Sequence, residues 1–429
     1  MSDDARYKSN RLAVDGGTPV RSTPLPWELP GAYFIDDEEK RLVTQVVEAR
    51  SPFRFYGLDA QGMVDRLESE WCSTFGHKHA LGVNSGSAAL HIALCAFGVG
   101  PGDEVLVPGY MWVACISAIV RTGAIPRLVD IDTSFCMDPA DLERKIGPRS
   151  KAVLFVNMSG AMGRIDRIAE ICRKHNLRLL EDCAQAIGAS LKGRPSGSYG
   201  DIGIYSLQMN KTITAGEGGA VVTSNPELFE RASRFHDLGG LRAPHQELLG
   251  GKPALDWFIG TNFRMNELSG GVLLAQTRKL DRIVGSVRAN AARVYEGIRD
   301  LPGLKLRRLP DPEGELGTGV FLDFGSRERC EKFLAAMKAE NIAASRPGGS
   351  VILPTLPHII AKKTIHPSWP SFQTARGKAM RYGPETCPRT IDILGRFGGV
   401  LMDPKYTRRD LDDIVAAIRK VYPAVVPAA

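Results

Sequence analysis

From about residue 79 to residue 225, short apolar runs alternate with stretches of helical period. Residues 80–83 lead through Asn84, Ser85, Gly86 and Ser87 into a helical stretch at 88–97, and the run at 104–107 stops at Pro108 and Gly109. Residues 125–129, 152–156, 178–180, 202–206 and 220–223 have the length and side chains of further strands. Helical patterns such as 165–175 fall between several of them. This rhythm predicts an α/β fold whose mainly parallel sheet is covered on both faces. Ligands of such sheets gather beyond the carboxyl ends of the strands, and Asp182 follows one such run closely.

A long amphipathic segment, 267–299, is expected to carry the chain out of this domain. Residues 304–427 then read as a smaller α+β unit, with a strand at 319–324 and helices at 327–340 and 407–422. The stretch 345–371 is rich in Pro, Gly and His and has no clear period, so it is expected to be a long loop. Loops of that length inside a domain are often functional, and His358 and His366 there are either substrate contacts or surface residues. At 429 residues the chain is too long for one ordinary core. The expected division is an N-terminal arm at 1–30, a large domain at 31–280 and a small C-terminal domain at 281–429.

The net charge of +7 is modest, and basic pairs such as Arg307-Arg308 and Lys362-Lys363 are dispersed. That argues against nucleic acid as a partner. No apolar run reaches the about 18 residues that a membrane span needs, and the first residues lack a signal-peptide pattern. The eight cysteines form no C-x-x-C pair, so reduced thiols in a cytoplasmic protein are expected. The histidines have no metal-ligand spacing with them, so no metal site is expected.

The chemistry centres on Lys211, in the segment 206–219 between two apolar runs. Its neighbours are small, polar and glycine residues, ending in Gly216, Glu217, Gly218 and Gly219. With Asp182 at the tip of another run, the pair suits pyridoxal phosphate. The lysine holds the cofactor as a Schiff base and the aspartate keeps its pyridine nitrogen protonated. Asp182 read alone is equally a helix cap. The cofactor's phosphate needs a helix N-terminus, which residues 84–88 supply, although the same residues fit an ordinary Ser/Asn cap. Trp112 offers a flat face for the ring or a buried core side chain. Gln185 lies within reach of the ring's phenolic oxygen.

In this order and spacing, residues 84–90, 108–114, 181–186, 200–219 and 260–265 resemble the DegT/DnrJ/EryC1/StrS family of sugar aminotransferases over nearly the whole chain. The resemblance implies the fold type I architecture of pyridoxal-phosphate transferases, with a mainly parallel, seven-stranded-type sheet and a smaller α+β domain. It implies Lys211 as the catalytic Schiff-base residue, Asp182 at the pyridine nitrogen, Gln185 at the phenolic oxygen and Trp112 stacked on the ring. Gly86, Ser87, Ala88 and Ser206 would hold the phosphate. Asn262 would reach a phosphate across the interface of a homodimer with shared sites, and Arg264 would support that interface. The implied reaction moves an amino group from glutamate or glutamine to a keto-sugar or keto-cyclitol, in amino-sugar or aminocyclitol biosynthesis.

Residues 12–21 look like the opening of members that act on inositol ketones and on aminohydroxybenzoate. Residues 51–57, 158–165 and 309–314 look like the transaminase that makes 8-amino-3,8-dideoxy-octulosonate. The region 348–371 departs from that enzyme, and Met111 and Leu207 replace the family's usual Thr and Phe. Two alternatives are a deoxysugar dehydratase, whose relatives carry His where this chain has Lys211, and a non-catalytic pyridoxal-phosphate regulator.

Overall fold

The computed structural model describes residues 11–347 and 351–426. Residues 1–10 of the expected arm, 348–350 of the expected loop and 427–429 of the expected small domain lie outside them. The central sheet has strands β1 His79–Val83, β2 Glu104–Pro108, β3 Ile125–Val129, β4 Ser150–Val156, β5 Arg178–Asp182, β6 Ile202–Ser206 and β7 Gly219–Thr223. Across the sheet they run β1, β7, β6, β5, β4, β2, β3. Pairs β2–β3, β2–β4, β4–β5 and β5–β6 are parallel. Strand β7 runs antiparallel to both of its neighbours, β1 and β6. All five residues of β1, β2 and β7 are buried. Strands covered on both faces need no alternation, so they read in sequence as continuous apolar runs.

Strand β5 extends past the expected 178–180. Glu181 and Asp182 pair with Gly203 and Ile204 of β6, so Asp182 is the last residue of the strand.

A second core forms around the antiparallel pair β8 Gly319–Asp323 and β9 Phe397–Leu401. Helices Leu280–Ile298, Arg327–Ala339 and Arg408–Val425 bury Val294, Phe333 and Ile414 against it. The helix expected over 267–299 is two helices, broken at Lys279. The Lys279 ammonium donates to Glu39 Oε2 at 2.7 Å and to the Phe34 carbonyl at 3.1 Å. The break lets Glu267–Arg278 pack on helices Asp37–Glu48 and Met63–Phe75 while Leu280–Ile298 packs on the last helix.

The expected loop at 345–371 carries short helical turns at Leu353–Thr355, Pro357–Ile360 and Pro370–Phe372. Proline at the start of each turn presets the backbone without a periodic signal. Trp369 Nε1 donates to the Val120 carbonyl at 2.6 Å, and Leu353 N to Gly109 O at 3.0 Å. The segment is thereby tied to the first core, where Leu353, Tyr382 and Leu394 are buried.

At the other end of the chain, Leu12, Val20 and Leu25 pack on the second core. The amides of Ala13 and Val20 donate to the Glu340 carboxylate at 2.9 and 2.8 Å, and Arg21 pairs with Asp410 and Asp413.

Candidate active site

The carboxyl ends of β2, β4, β5 and β6 open toward one region, and the expected site residues lie on the turns that leave them. Lys211 sits in the connection from β6 to β7. That connection closes on itself: Leu207 N donates to Gly218 O at 2.9 Å, and Met209 N to Gly216 O at 3.0 Å. The Thr214 hydroxyl donates to the Leu207 carbonyl at 3.2 Å. A short closed loop fixes the lysine backbone without a regular element.

Two glycines seat the phosphate-binding candidates. A Cβ on Gly219 would lie 2.4 Å from the Ser85 carbonyl carbon, and one on Gly86 would lie 2.6 Å from Ser206 Cβ. The N-terminus of helix Gly86–Ala96 therefore abuts the end of β6. Ser85 caps this helix, its hydroxyl accepting from Ala88 N at 3.1 Å. The cap is present, and it does not exclude an anion at the same end, because the first amides of a helix have no intrahelical acceptors and carry the positive end of its dipole.

Asp182 is buried, with Oδ1 accepting from Ala184 N at 2.9 Å and Oδ2 from Cys115 Sγ at 3.2 Å. Burial pushes its pKa up, against the lowering pull of those two donors and of the Lys211 charge. Lys211 is half-buried, and desolvation lowers its pKa, opposed by the attraction of Asp182 and Cys115. A carboxyl group buried without a cation in direct contact fits a site built to receive a protonated heterocycle. An amine with a lowered pKa fits covalent capture of an aldehyde. The donor set therefore fits pyridoxal phosphate.

Trp112 caps helix Val113–Arg121, which carries Cys115, and its indole is 60% exposed, so the buried-core alternative does not hold. Gln185 Oε1 accepts from Ser159 N at 3.1 Å. Ser159 has φ of 49°, a left-handed conformation that a serine rarely adopts. Its carbonyl is clamped by the Arg307 guanidinium and the Thr318 hydroxyl, each at 2.8 Å. Backbone held in such a conformation is a recurrent mark of functional sites.

Gln185 and Lys211 line a cavity of about 380 Å³. Asn262 is exposed beside the same helix N-terminus, where the Phe263 carbonyl accepts from Asn84 N at 2.9 Å. Arg264 pairs with Asp237. His358 lines a separate cavity of about 230 Å³ with Arg121 and Trp369. Neither it nor His366 lines the one around Lys211.

Residue-type reasoning missed Cys115, Ser159 and a strap at 27–31, whose Trp27, Glu28 and Leu29 also line the cavity around Lys211. The signal for Cys115 was its position one helical turn after Trp112, which sets both on one side of the helix. Ser159 and the strap depend on contacts distant in sequence.

Residues 35–346 match the DegT/DnrJ/EryC1/StrS aminotransferase family. This chain belongs to that family. It is 37% identical over 284 residues to the L-glutamine:2-deoxy-scyllo-inosose aminotransferase of Streptoalloteichus tenebrarius, covering 65% of this chain and 66% of the relative. It is 32% identical over 331 residues to the GDP-perosamine synthase of Vibrio cholerae, covering 76% and 86%. The chain thus spans about two thirds of the first of these relatives' length. Among solved structures it resembles 3-amino-5-hydroxybenzoic acid synthase, with a TM-score of 0.76 and 25% identity over 94% of this chain and 100% of the other. It also resembles S. venezuelae DesV, at 0.75 and 26% over 93% and 98%. The fold is that of these enzymes.

Proposed function

We propose that this chain is a pyridoxal-phosphate-dependent aminotransferase that transfers an amino group from glutamine or glutamate to a keto-cyclitol or keto-sugar. The observation that carries this reading is the buried Asp182 at the carboxyl end of β5, held by a thiol and an amide and within electrostatic reach of Lys211. When bound, the coenzyme supplies an electron sink for charge at the donor's α-carbon. The Lys211 amine, its pKa lowered by desolvation, would hold the coenzyme and, when free, would move the α-proton. Asp182 keeps the ring nitrogen protonated, with Cys115 and the Ala184 amide fixing its carboxylate. Gln185, oriented by Ser159, donates to the phenolic oxygen. Trp112 covers one ring face, and Gly86, Ser87, Ala88 and Ser206 receive the phosphate.

The relative named for L-glutamine and 2-deoxy-scyllo-inosose supports a cyclitol ketone as acceptor and glutamine as donor. The opening at residues 12–21 points the same way. The octulosonate likeness rests on its short motifs alone. Homodimerisation with shared sites is part of the proposal: Asn262 is exposed, and Trp257 and Ile259 nearby are exposed apolar side chains. The eight free thiols support a reducing, cytoplasmic setting. The three-part division at 30 and 280 also stands as a proposal; two cores speak for it, while Leu353, Tyr382 and Leu394 of the C-terminal part join the first core.

Mixing purified holoenzyme with glutamine and no acceptor is the test. Conversion of the coenzyme to its aminated form with release of a keto acid is expected. An unchanged spectrum with both glutamine and glutamate would overturn the reading.

A further inference from the structure

The Lys211 cavity has a wall that comes from far away in the chain. Trp27, Glu28 and Leu29 line it together with Gln185, Asn210 and Lys211. Two contacts hold this strap in place. Glu28 N donates to Asp403 Oδ2 at 2.7 Å, and Gly31 N donates to the carbonyl of Lys211 itself at 3.4 Å. Gly31 has room for no side chain, since a Cβ there would lie 3.0 Å from Ile213 Cα and Thr214 N. Asp403 is itself fixed: Oδ1 accepts from Lys405 N at 2.8 Å, and its carbonyl from Asn290 Nδ2 at 2.9 Å. The strap is therefore seated against the loop that carries the lysine.

Glu28 Oε1 accepts from Leu29 N at 3.1 Å. Its second carboxylate oxygen has no protein donor among the described residues. Lys211 is the one Lys or Arg among the described residues lining this cavity, and the indole of Trp27 beside Glu28 is 71% exposed. An unshared carboxylate oxygen next to an aromatic face suits a ring with hydrogen-bond donors on its edge and apolar C–H groups on its face. It disfavours a phosphate-bearing acceptor by like-charge repulsion.

We propose that Glu28 is an acceptor-specificity residue whose carboxylate takes a hydrogen bond from a ring hydroxyl or ring ammonium of a cyclitol ketone. This rests on the proposed function and narrows its acceptor to a ring that presents a hydrogen-bond donor to Glu28.

The test uses holoenzyme with saturating glutamine and two probes, scyllo-inosose and 3-amino-2,3-dideoxy-scyllo-inosose. Glu28→Ala should raise KM by about tenfold or more for at least one probe while kcat moves less than about threefold, as expected for a charge-assisted hydrogen bond made in the bound ground state. Glu28→Gln separates the two donors. Recovery of a near-normal KM assigns a hydroxyl, and persistence of the defect assigns the ammonium. An unchanged coenzyme spectrum in both variants establishes intact folding. Unchanged KM for both probes in Glu28→Ala, or a fall in kcat alone, would overturn the assignment. Wild-type protein that is aminated by glutamine yet accepts neither probe would overturn it while leaving transamination standing. Failure of the first step with glutamine would sink the underlying reading instead.

Discussion

Glu181 and Asp182 are consecutive residues at the end of one strand, both buried, and burial raises the pKa of both. Their surroundings could hardly differ more. Successive side chains of a strand point to opposite faces, so Glu181 faces one covering layer and Asp182 the other. Four donors converge on Glu181: Asn157 Nδ2 and Gly197 N on Oε1, each at 2.8 Å, and Tyr199 N and Gly200 N on Oε2 at 2.9 and 3.2 Å. Asp182 has one amide and one thiol, with the charge of Lys211 acting on it from a distance. The saturated acid pins the turn at 197–200 and has no capacity left for a ligand. The undersupplied one is still short of a cation. Burial with full compensation builds structure, whereas burial with a deficit builds a binding site.

The largest effect expected from breaking this contrast is at the other member of the functional pair. Lys211→Ala should abolish the absorbance of covalently held coenzyme and cut turnover by at least about 10⁴-fold, because the attacking and proton-moving group is gone; absorbance and steady-state kinetics measure both. Asp182→Asn keeps the shape and removes the charge. It should lower kcat by about 10²–10³-fold while the variant still binds coenzyme and melts near the wild-type temperature. Glu181→Gln should do the reverse. Its amide nitrogen must face two N–H donors, so stability should fall by about 2–4 kcal/mol in denaturant titration, with kcat per folded molecule unchanged. If Glu181→Gln cost activity and Asp182→Asn cost stability, the contrast would be inverted.

A smaller effect follows from the same physics at buried histidines where desolvation outweighs any compensation. Burial lowers the pKa of His77 and His91 to about 4 and that of His236 to about 3. The folded state keeps these rings neutral, while the unfolded chain protonates them below about pH 6.5. The unfolded state therefore binds more protons between those values, and stability should fall as pH drops from about 6.5 toward 4. The slope is at most about 1.4 kcal/mol per pH unit for each histidine. Denaturant titrations at pH 7 and pH 5 measure it, and equal stability at the two would contradict the burial argument.

Much of this was readable in the sequence. The strands of the central sheet appear as continuous apolar runs because both faces are covered, and Asp182, Lys211 and Gln185 stand out by position against small or polar neighbours. The chain did not announce where β5 ends, since the charged residues Glu181 and Asp182 look like a strand's exit while in fact pairing with β6. The break at Lys279 was hidden because no Gly or Pro separates the two helices, and only their different packing partners distinguish them. The strap was invisible for another reason. Glu28 meets Asp403 across 375 positions, and no local pattern encodes such a contact. The segment after residue 351 misled by its prolines, which preset short turns where periodicity would predict none.

Reductive trapping with borohydride, followed by peptide mass mapping, addresses the pairing of Lys211 with the coenzyme most directly. Holoenzyme treated in this way should carry one pyridoxyl label per chain on the peptide containing Lys211, and glutamine added beforehand should abolish the labelling. A label on another lysine, or none after incubation with excess pyridoxal phosphate, would contradict the assignment.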